Sequence, residues 1–172
     1  MDVVVLSLGG SVLVKDEDPS AYLSELAQAL AEVSSNAKLY IVTGGGRIAR
    51  FYIRAGRALG AAEQSLDLMG IDTTRLNARL VITAMKGHAC PEPPRDYEEA
   101  VRAGMSYPVV VMGGVAPGVT TDAVSARLAE RVGATRLVNA TSVDGAYTSD
   151  PKKDVCAKRI PRMSHAELVK LV

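Results

Sequence analysis

Val3-Val4-Val5-Leu6-Ser7-Leu8-Gly9-Gly10-Ser11 is a strand followed by a glycine turn. A strand that is apolar at nearly every position is covered on both faces, as in a parallel sheet. Two later segments repeat the pattern. Lys38 to Thr43 runs into Gly44-Gly45-Gly46, and Val109 to Met112, opened by Pro108, runs into Gly113-Gly114. A fourth strand, Leu137 to Ala140, leads into Thr141-Ser142-Val143-Asp144-Gly145.

Helical patterns fill the intervals. Asp18 is expected to cap a helix with Pro19 at its first position, burying Leu23, Leu26, Leu30 and Val33. A second helix begins in the triple glycine and runs to about Leu59, with Gly60 as its stop. A longer one spans roughly Leu66 to Lys86. The proline-rich stretch from His88 to Pro94 must be a loop, and Asp96 to Ala103 reads as a short helix. Thr120 or Thr121 caps a helix to Val132 that Gly133 closes, and Ser164-His165-Ala166-Glu167 is a capping box opening the last helix. This alternation predicts an α/β fold: a three-layer αβα sandwich with a mostly parallel central sheet, residues 1–172 forming one domain. The last apolar run, Leu168, Val169, Leu171 and Val172, has no stop signal, so the chain is expected to continue.

Composition excludes several classes. Of 172 residues 48% are hydrophobic, enough for a core. Lys+Arg 20 against Asp+Glu 19 leaves a charge of +1, which argues against a sequence-tolerant nucleic-acid surface. Six tyrosines, one phenylalanine and no tryptophan leave little for base stacking. No apolar run reaches the roughly 18 residues of a membrane span. The N-terminus has no basic leader, so a cytoplasmic location is expected. Cys90 and Cys156 cannot make a disulfide framework. His88 and Cys90 have no second pair at ligand spacing, so no protein metal site is expected. Asn139-Ala140-Thr141 matches a glycosylation sequon but lies at a strand end, and Lys152-Lys153 between Asp150 and Asp154 is a solvated charge cluster.

The chemistry lies in the glycine loops. In open parallel sheets ligands sit beyond the carboxyl ends of the strands. Glycine lets backbone amides approach phosphate oxygens, and a following helix N-terminus adds favourable charge. Each loop alone reads equally well as a turn. Three on one edge point to a polyphosphate, or to two phosphorylated ligands meeting head to head. There is no G-x-x-x-x-G-K-[ST], no G-x-G-x-x-G and no protein-kinase signature. The third loop continues Val115-Ala116-Pro117-Gly118-Val119-Thr120-Thr121-Asp122. One helix cap needs one such residue, so the surplus hydroxyls suit phosphate, and Asp122 suits orienting a lysine or a metal ion.

These elements occur in one order: Gly9-Gly10-Ser11, the triple glycine with Arg50, Asp67-Leu68-Met69-Gly70, Thr120-Thr121-Asp122, and Val143-Asp144-Gly145-Ala146-Tyr147-Thr148-Ser149-Asp150-Pro151. Together they resemble the amino acid kinase family, and within it the uridylate (UMP) kinase branch of the archaeal type, from Met1 to Val172. The resemblance implies ATP with Mg2+ as phosphate donor, UMP as acceptor and a homo-oligomer, a hexamer in that branch. It implies that Gly9, Gly10, Ser11, Gly46 and Arg50 surround the ATP phosphates, and that Thr141, Ser142, Tyr147 and Asp150 frame its adenosine. Gly45 and Asp67 would hold UMP, Asp67 through the ribose hydroxyls. Gly114, Val115, Ala116, Pro117, Gly118, Val119, Thr120 and Thr121 would wrap its uridine and phosphate. Arg50 and Asp122 would serve catalysis.

Two departures stand against this. Many family members carry a lysine two residues before the glycine pair, where this chain has Ser7; Lys15 is the nearest substitute. The family also runs further, so a C-terminal portion is expected to be missing and the ATP half-site incomplete. The competing readings are another small-molecule kinase of the family, acting for example on acetylglutamate, carbamate or isopentenyl phosphate, and a nucleotide or oxyanion binding or storage protein on the same fold. A Rossmann oxidoreductase comes third, because the fingerprint spacing fails.

Overall fold

The structure, a computed structural model, describes residues 1–14 and 18–171; Lys15 and Val172 lie outside them. Its contacts divide the chain into Met1–Ala140 and Thr141–Val172. In the first unit β1 (Asp2–Leu8) is followed by α1 (Gly10–Leu13), α2 (Ser20–Ser34), β2 (Ala37–Thr43), α3 (Gly46–Ala58), α4 (Glu63–Ala84), α5 (Tyr97–Ser106), β3 (Val109–Met112), α6 (Thr121–Arg131) and β4 (Arg136–Ala140). The second unit holds β5 (Ala146–Tyr147), β6 (Arg159–Ile160) and α7 (His165–Leu171).

The four long strands form one parallel sheet in the order β3-β2-β1-β4. β1 lies inside it, with Val5 level with Tyr40 of β2 and Leu137 of β4. Alternate residues of each strand enter opposite faces, and each face is covered by helices. On one, Leu8, Leu39, Ile41, Val109 and Val111 pack with Leu13, Leu23, Leu30, Ala78 and Val81 of α1, α2 and α4 and with Met85, which caps α4. On the other, Val5, Tyr40, Val42, Val110 and Met112 pack with Ala100 of α5 and Val124 and Leu128 of α6. The expected three layers are therefore present. From β1 the chain steps outward to β2 and β3, then α6 carries it back across to β4 on the other side of β1. A reversal of this kind opens a crevice at the carboxyl ends of the strands.

Helix boundaries show where local signals run short. α2 begins one residue later than expected: Pro19 occupies the cap position, and Asp18 accepts a hydrogen bond from the Ser20 amide at 2.9 Å. Its buried line is Leu23, Ala27, Leu30 and Ser34, whereas Val33 is 49% exposed. Ser34 tolerates burial because its hydroxyl donates to the Ala31 carbonyl. α4 starts at Glu63, a polar turn before Leu66, and α5 reaches Ser106 from an Asp96 cap that accepts from the Glu99 amide at 2.7 Å. The single turn α1 and the β5–β6 pair were not foreseen. In the second unit the capping box forms as read: the Ser164 amide donates to Glu167 and the Glu167 amide donates back to Ser164 Oγ.

Candidate functional site

The glycine turns after β1 and β2 pack backbone against backbone. A Cβ on Gly10 would come within 2.4 Å of the Gly44 carbonyl oxygen and the Gly46 nitrogen. Gly46 has φ +61°, and a Cβ there would lie 2.4 Å from the Gly10 carbonyl carbon. No side chain fits at either position without moving a main chain. Part of the glycine signal is thus structural, and it places the N-termini of α1 and α3 side by side at one sheet edge.

Beside these turns lies an open cavity of about 610 Å³. Gly45, Gly46, Ala49, Arg50 and Ile53 border it from α3 and its leading turn, and Asp67, Gly70, Ile71 and Thr74 from α4. The loop into α6 completes the wall with Gly114, Ala116, Gly118, Val119, Thr120 and Thr121. Of the residues expected around UMP, all but Val115 and Pro117 line this space. Val115 instead packs against the buried core. Gly46 and Arg50, expected at the ATP phosphates, border the same cavity. Gly9, Gly10 and Ser11 do not line it. Gly10 and Ser11 back the Gly44–Gly46 turn.

The charges in this wall differ in their ties. Ion pairs among the described residues use Arg57, Arg79, Arg131, Lys153 and Arg159, which leaves the exposed Arg50 guanidinium without a carboxylate. An exposed guanidinium at a cavity of backbone amides is suited to a bidentate anion such as phosphate. Asp67 is half-buried and accepts from the Gly118 amide through Oδ2 at 2.8 Å, so it holds the 116–119 loop. Gly118 takes φ +74°, a left-handed conformation that presents this amide.

Three buried polar residues beneath the cavity escaped the sequence reading. The Thr43 hydroxyl lies 2.8 Å from the Thr74 carbonyl and 3.1 Å from that of Met112, bridging β2, α4 and β3. Thr74 Oγ1 accepts from the Gly114 amide at 2.7 Å and donates to the Ile71 carbonyl. Asn77 Nδ2 donates to the Gly44 carbonyl at 2.7 Å. Each is 5% exposed or less, so these bonds are shielded from water and fix two glycine turns against α4. For Thr74 and Asn77 the available signal was a polar residue on the buried stripe of a helix.

Asp122, in the first turn of α6, accepts from Ser7 Oγ of β1 at 3.0 Å. Thr120 provides the helix cap, accepting from the Ala123 amide, which frees Thr121 and Asp122 from that task. The Ser7–Asp122 bond belongs to the described residues, whereas Lys15 lies outside them.

Thr141, Ser142, Tyr147 and Asp150 belong to the second unit. There the Tyr147 hydroxyl donates to Asp144 at 2.6 Å, which holds the Asp144 carboxyl below its ordinary value and raises the phenol. Lys152 Nζ donates to Ser142 Oγ, and Asp150 accepts from the Lys152 amide. Among the described residues no group of three or more His, Cys, Asp or Glu could hold a metal ion.

Comparison with known proteins agrees with this architecture. Uridylate kinase of Methanosarcina mazei is 51% identical over 170 residues, covering 99% of this chain and 72% of the relative. That of Methanococcoides burtonii is 51% identical with the same coverage. The crystal structure of uridylate kinase from Archaeoglobus fulgidus superposes with a TM-score of 0.91 at 46% identity, covering 100% of this chain and 77% of that one. The family model described as "Amino acid kinase family" matches residues 2–172. The chain belongs to the amino acid kinase family.

Proposed function

We infer that the chain is a uridylate kinase, transferring the γ-phosphoryl group of ATP to UMP to give UDP and ADP. The observation that carries this is the cavity at the strand ends, which joins the exposed Arg50, the glycine-loop backbone, Thr120, Thr121 and Asp67. The similarity to uridylate kinases over nearly the whole chain supports the same reading.

Phosphoryl transfer asks a protein mainly for positioning and charge neutralisation. A phosphate monoester is largely ionised near neutral pH, so the UMP phosphate attacks in line without a strong base. In this reading Arg50 and the amides after β2 neutralise the transferring group. Thr120 and Thr121 hold the UMP phosphate and uridine together with Gly114, Ala116, Gly118 and Val119, while Val115 and Pro117, off the cavity wall, shape the loop that carries them. Gly45 lies against UMP, and Asp67 accepts from its ribose. Since Asp67 Oδ2 already accepts from Gly118, Oδ1 is the oxygen left for the ribose. We assign Gly9, Gly10, Ser11 and Gly46 to the ATP phosphates. On family resemblance alone, we assign Thr141, Ser142, Tyr147 and Asp150 to its adenosine.

Magnesium is part of this reading. With no multi-carboxylate cluster among the described residues, the ion would rest on nucleotide phosphates with Asp122 as its protein contact, a mode common for Mg2+. Bound there, it would withdraw charge from the transferring phosphoryl group. A homo-oligomer also belongs to the reading. Leu68, Met69, Leu76 and Leu80 of α4 and Phe51 and Tyr52 of α3 are exposed and suit a subunit contact. No helix of the described residues is long and apolar enough to cross a membrane. A cytoplasmic location belongs to the reading by family resemblance.

A phosphate-acceptor panel tests the assignment. On a version extended past Val172, ADP release is expected with UMP above CMP and dUMP, and none with isopentenyl phosphate. Asp67→Ala should raise the KM for UMP about tenfold, the effect of losing hydrogen bonds to a charged group. Isopentenyl phosphate as the preferred acceptor, or nucleotide binding without turnover, would replace this reading with one of its rivals.

A further inference from the structure

Ser7 is the polar interruption in the apolar run of β1, and it is 5% exposed. A hydroxyl withdrawn from water is costly unless bonded. Its partner is the Asp122 carboxylate, 115 residues away in sequence. The bond therefore ties the carboxyl end of β1, two residues before Gly9-Gly10, to the first turn of α6, which opens at Thr121 behind its Thr120 cap.

We propose that Ser7 is a positioning residue which fixes the Asp122 carboxylate for the magnesium–nucleotide complex. The proposal deepens the kinase reading above and rests on it. A serine hydroxyl donates one proton and carries no charge. It occupies Oδ1 and does not itself neutralise the carboxylate, and Oδ2 has no hydrogen-bond partner among the described residues. A lysine at Ser7 would neutralise Asp122; the hydroxyl orients it instead. An oriented carboxylate with one oxygen unengaged is the kind of single hard ligand Mg2+ takes beside phosphates. The first turn of α6 favours the anion as well, because the helix dipole is positive there. Without Ser7 the short Asp122 side chain regains rotamer freedom, and ordering it must then be paid for when the nucleotide binds.

The test is an equilibrium titration of ATP with and without magnesium on the wild-type chain, Ser7→Ala and Ser7→Thr, alongside UMP affinity and thermal stability. In Ser7→Ala the magnesium-dependent tightening of ATP binding is expected to fall about tenfold. Metal-free ATP and UMP affinities should stay unchanged, and Ser7→Thr should restore the tightening. Equal tightening in wild type and Ser7→Ala would overturn the proposal while leaving the kinase reading intact. So would a loss that affects UMP, metal-free ATP and magnesium–ATP alike, since it marks a merely structural hydroxyl. Failure of the wild-type chain to bind UMP would overturn the kinase reading itself, and this proposal with it.

Discussion

β3 and β4 end the same parallel sheet on its two sides, and their surroundings are opposite. Val109, Val110, Val111 and Met112 of β3 are all 0% exposed, whereas Leu137 and Val138 of β4 are 48% and 46% exposed. β3 is apolar throughout, whereas β4 carries Arg136 and Asn139. Among the described residues the helices over the two strands differ as well. α4 packs against β3 from one face and α5 from the other, while α6 packs beside β4. The carboxyl ends differ in the same sense. β3 ends in Gly113-Gly114, pinned by Thr74 and bordering the cavity, and Thr43 bonds the Met112 carbonyl. A strand edge becomes rigid enough to carry a ligand loop when helices cover it on both faces.

The most direct way to break this contrast is to lift α5. Gly104 lets that helix rest on Tyr40 of β2, level with Val110 of β3; a Cβ there would lie 1.8 Å from the Tyr40 hydroxyl oxygen. Lys38 Nζ, which donates to the Gly104 carbonyl, holds the same contact. Gly104→Ala is expected to cost about 3 kcal/mol in chemical denaturation, because the clash lies in a packed core. Adding Tyr40→Phe, which removes the clashing oxygen, should recover part of the loss. A Gly104→Ala protein as stable as wild type would mean that α5 does not rest on β2 as described.

A matched pair measures the two edges directly. Val110→Ala removes two buried methyl groups and is expected to cost about 2 kcal/mol, including the cavity left behind. Val138→Ala on β4 should cost under about 0.5 kcal/mol. Equal losses would show that β4 is covered in solution, and the contrast would then be void.

Much of this was legible in the sequence because its signals were local. An apolar strand followed by glycine marks itself, and β3 has the boundaries its pattern predicted. The α6 cap, read as Thr120 or Thr121, and the Ser164–Glu167 box are likewise short-range chemistry. What failed needed a partner from elsewhere. Val33 continues a plausible apolar stripe, but the core meets α2 along Ala27 and Ser34 instead. The polar first turn of α4 has no apolar residue to announce it. Thr74 and Asn77 look like ordinary helix residues until Gly114 and Gly44, 40 and 33 positions away, arrive against them. Ser7 read only as the place of a missing lysine, since nothing nearby in sequence indicates Asp122. The glycines and charges that border the cavity carry a signal in the sequence, and the polar residues that hold its walls do not.

Thr74→Val tests whether the hidden layer matters. The substitution keeps the shape and removes the oxygen that accepts from the Gly114 amide. It is expected to cost about 1.5 kcal/mol, since a buried N–H is left unsatisfied. UMP affinity should fall as well, because Gly114 borders the cavity. Thr74→Ser should retain most of the affinity. If Thr74→Val binds UMP like wild type, the turn after β3 is held by its packing and not by this hydrogen bond.

The smallest expected effect is one of pH, and it separates the covered strand from the chain beyond β4. β3 contains no ionisable side chain. In the second unit the Tyr147 hydroxyl bonds Asp144, with Arg159 3.5 Å away, and together they hold the Asp144 carboxyl below its ordinary value of 3.8. A lowered carboxyl contributes stability that is present above the unfolded value and lost as pH falls through the folded one. The β5–β6 hairpin should therefore loosen only below about pH 4. Because the carboxyl is exposed, the change should be slight and screened by salt. Hydrogen exchange at the Thr148 amide, which donates to the Lys158 carbonyl across the hairpin, reads it out. After correction for intrinsic rates, protection there should drop between pH 5 and pH 3, while protection at Val110 holds. Asp144→Asn should remove the pH dependence at Thr148. If Thr148 protection does not change with pH, the hairpin is held by backbone pairing alone, and the Asp144–Tyr147 contact is decoration on an already formed turn.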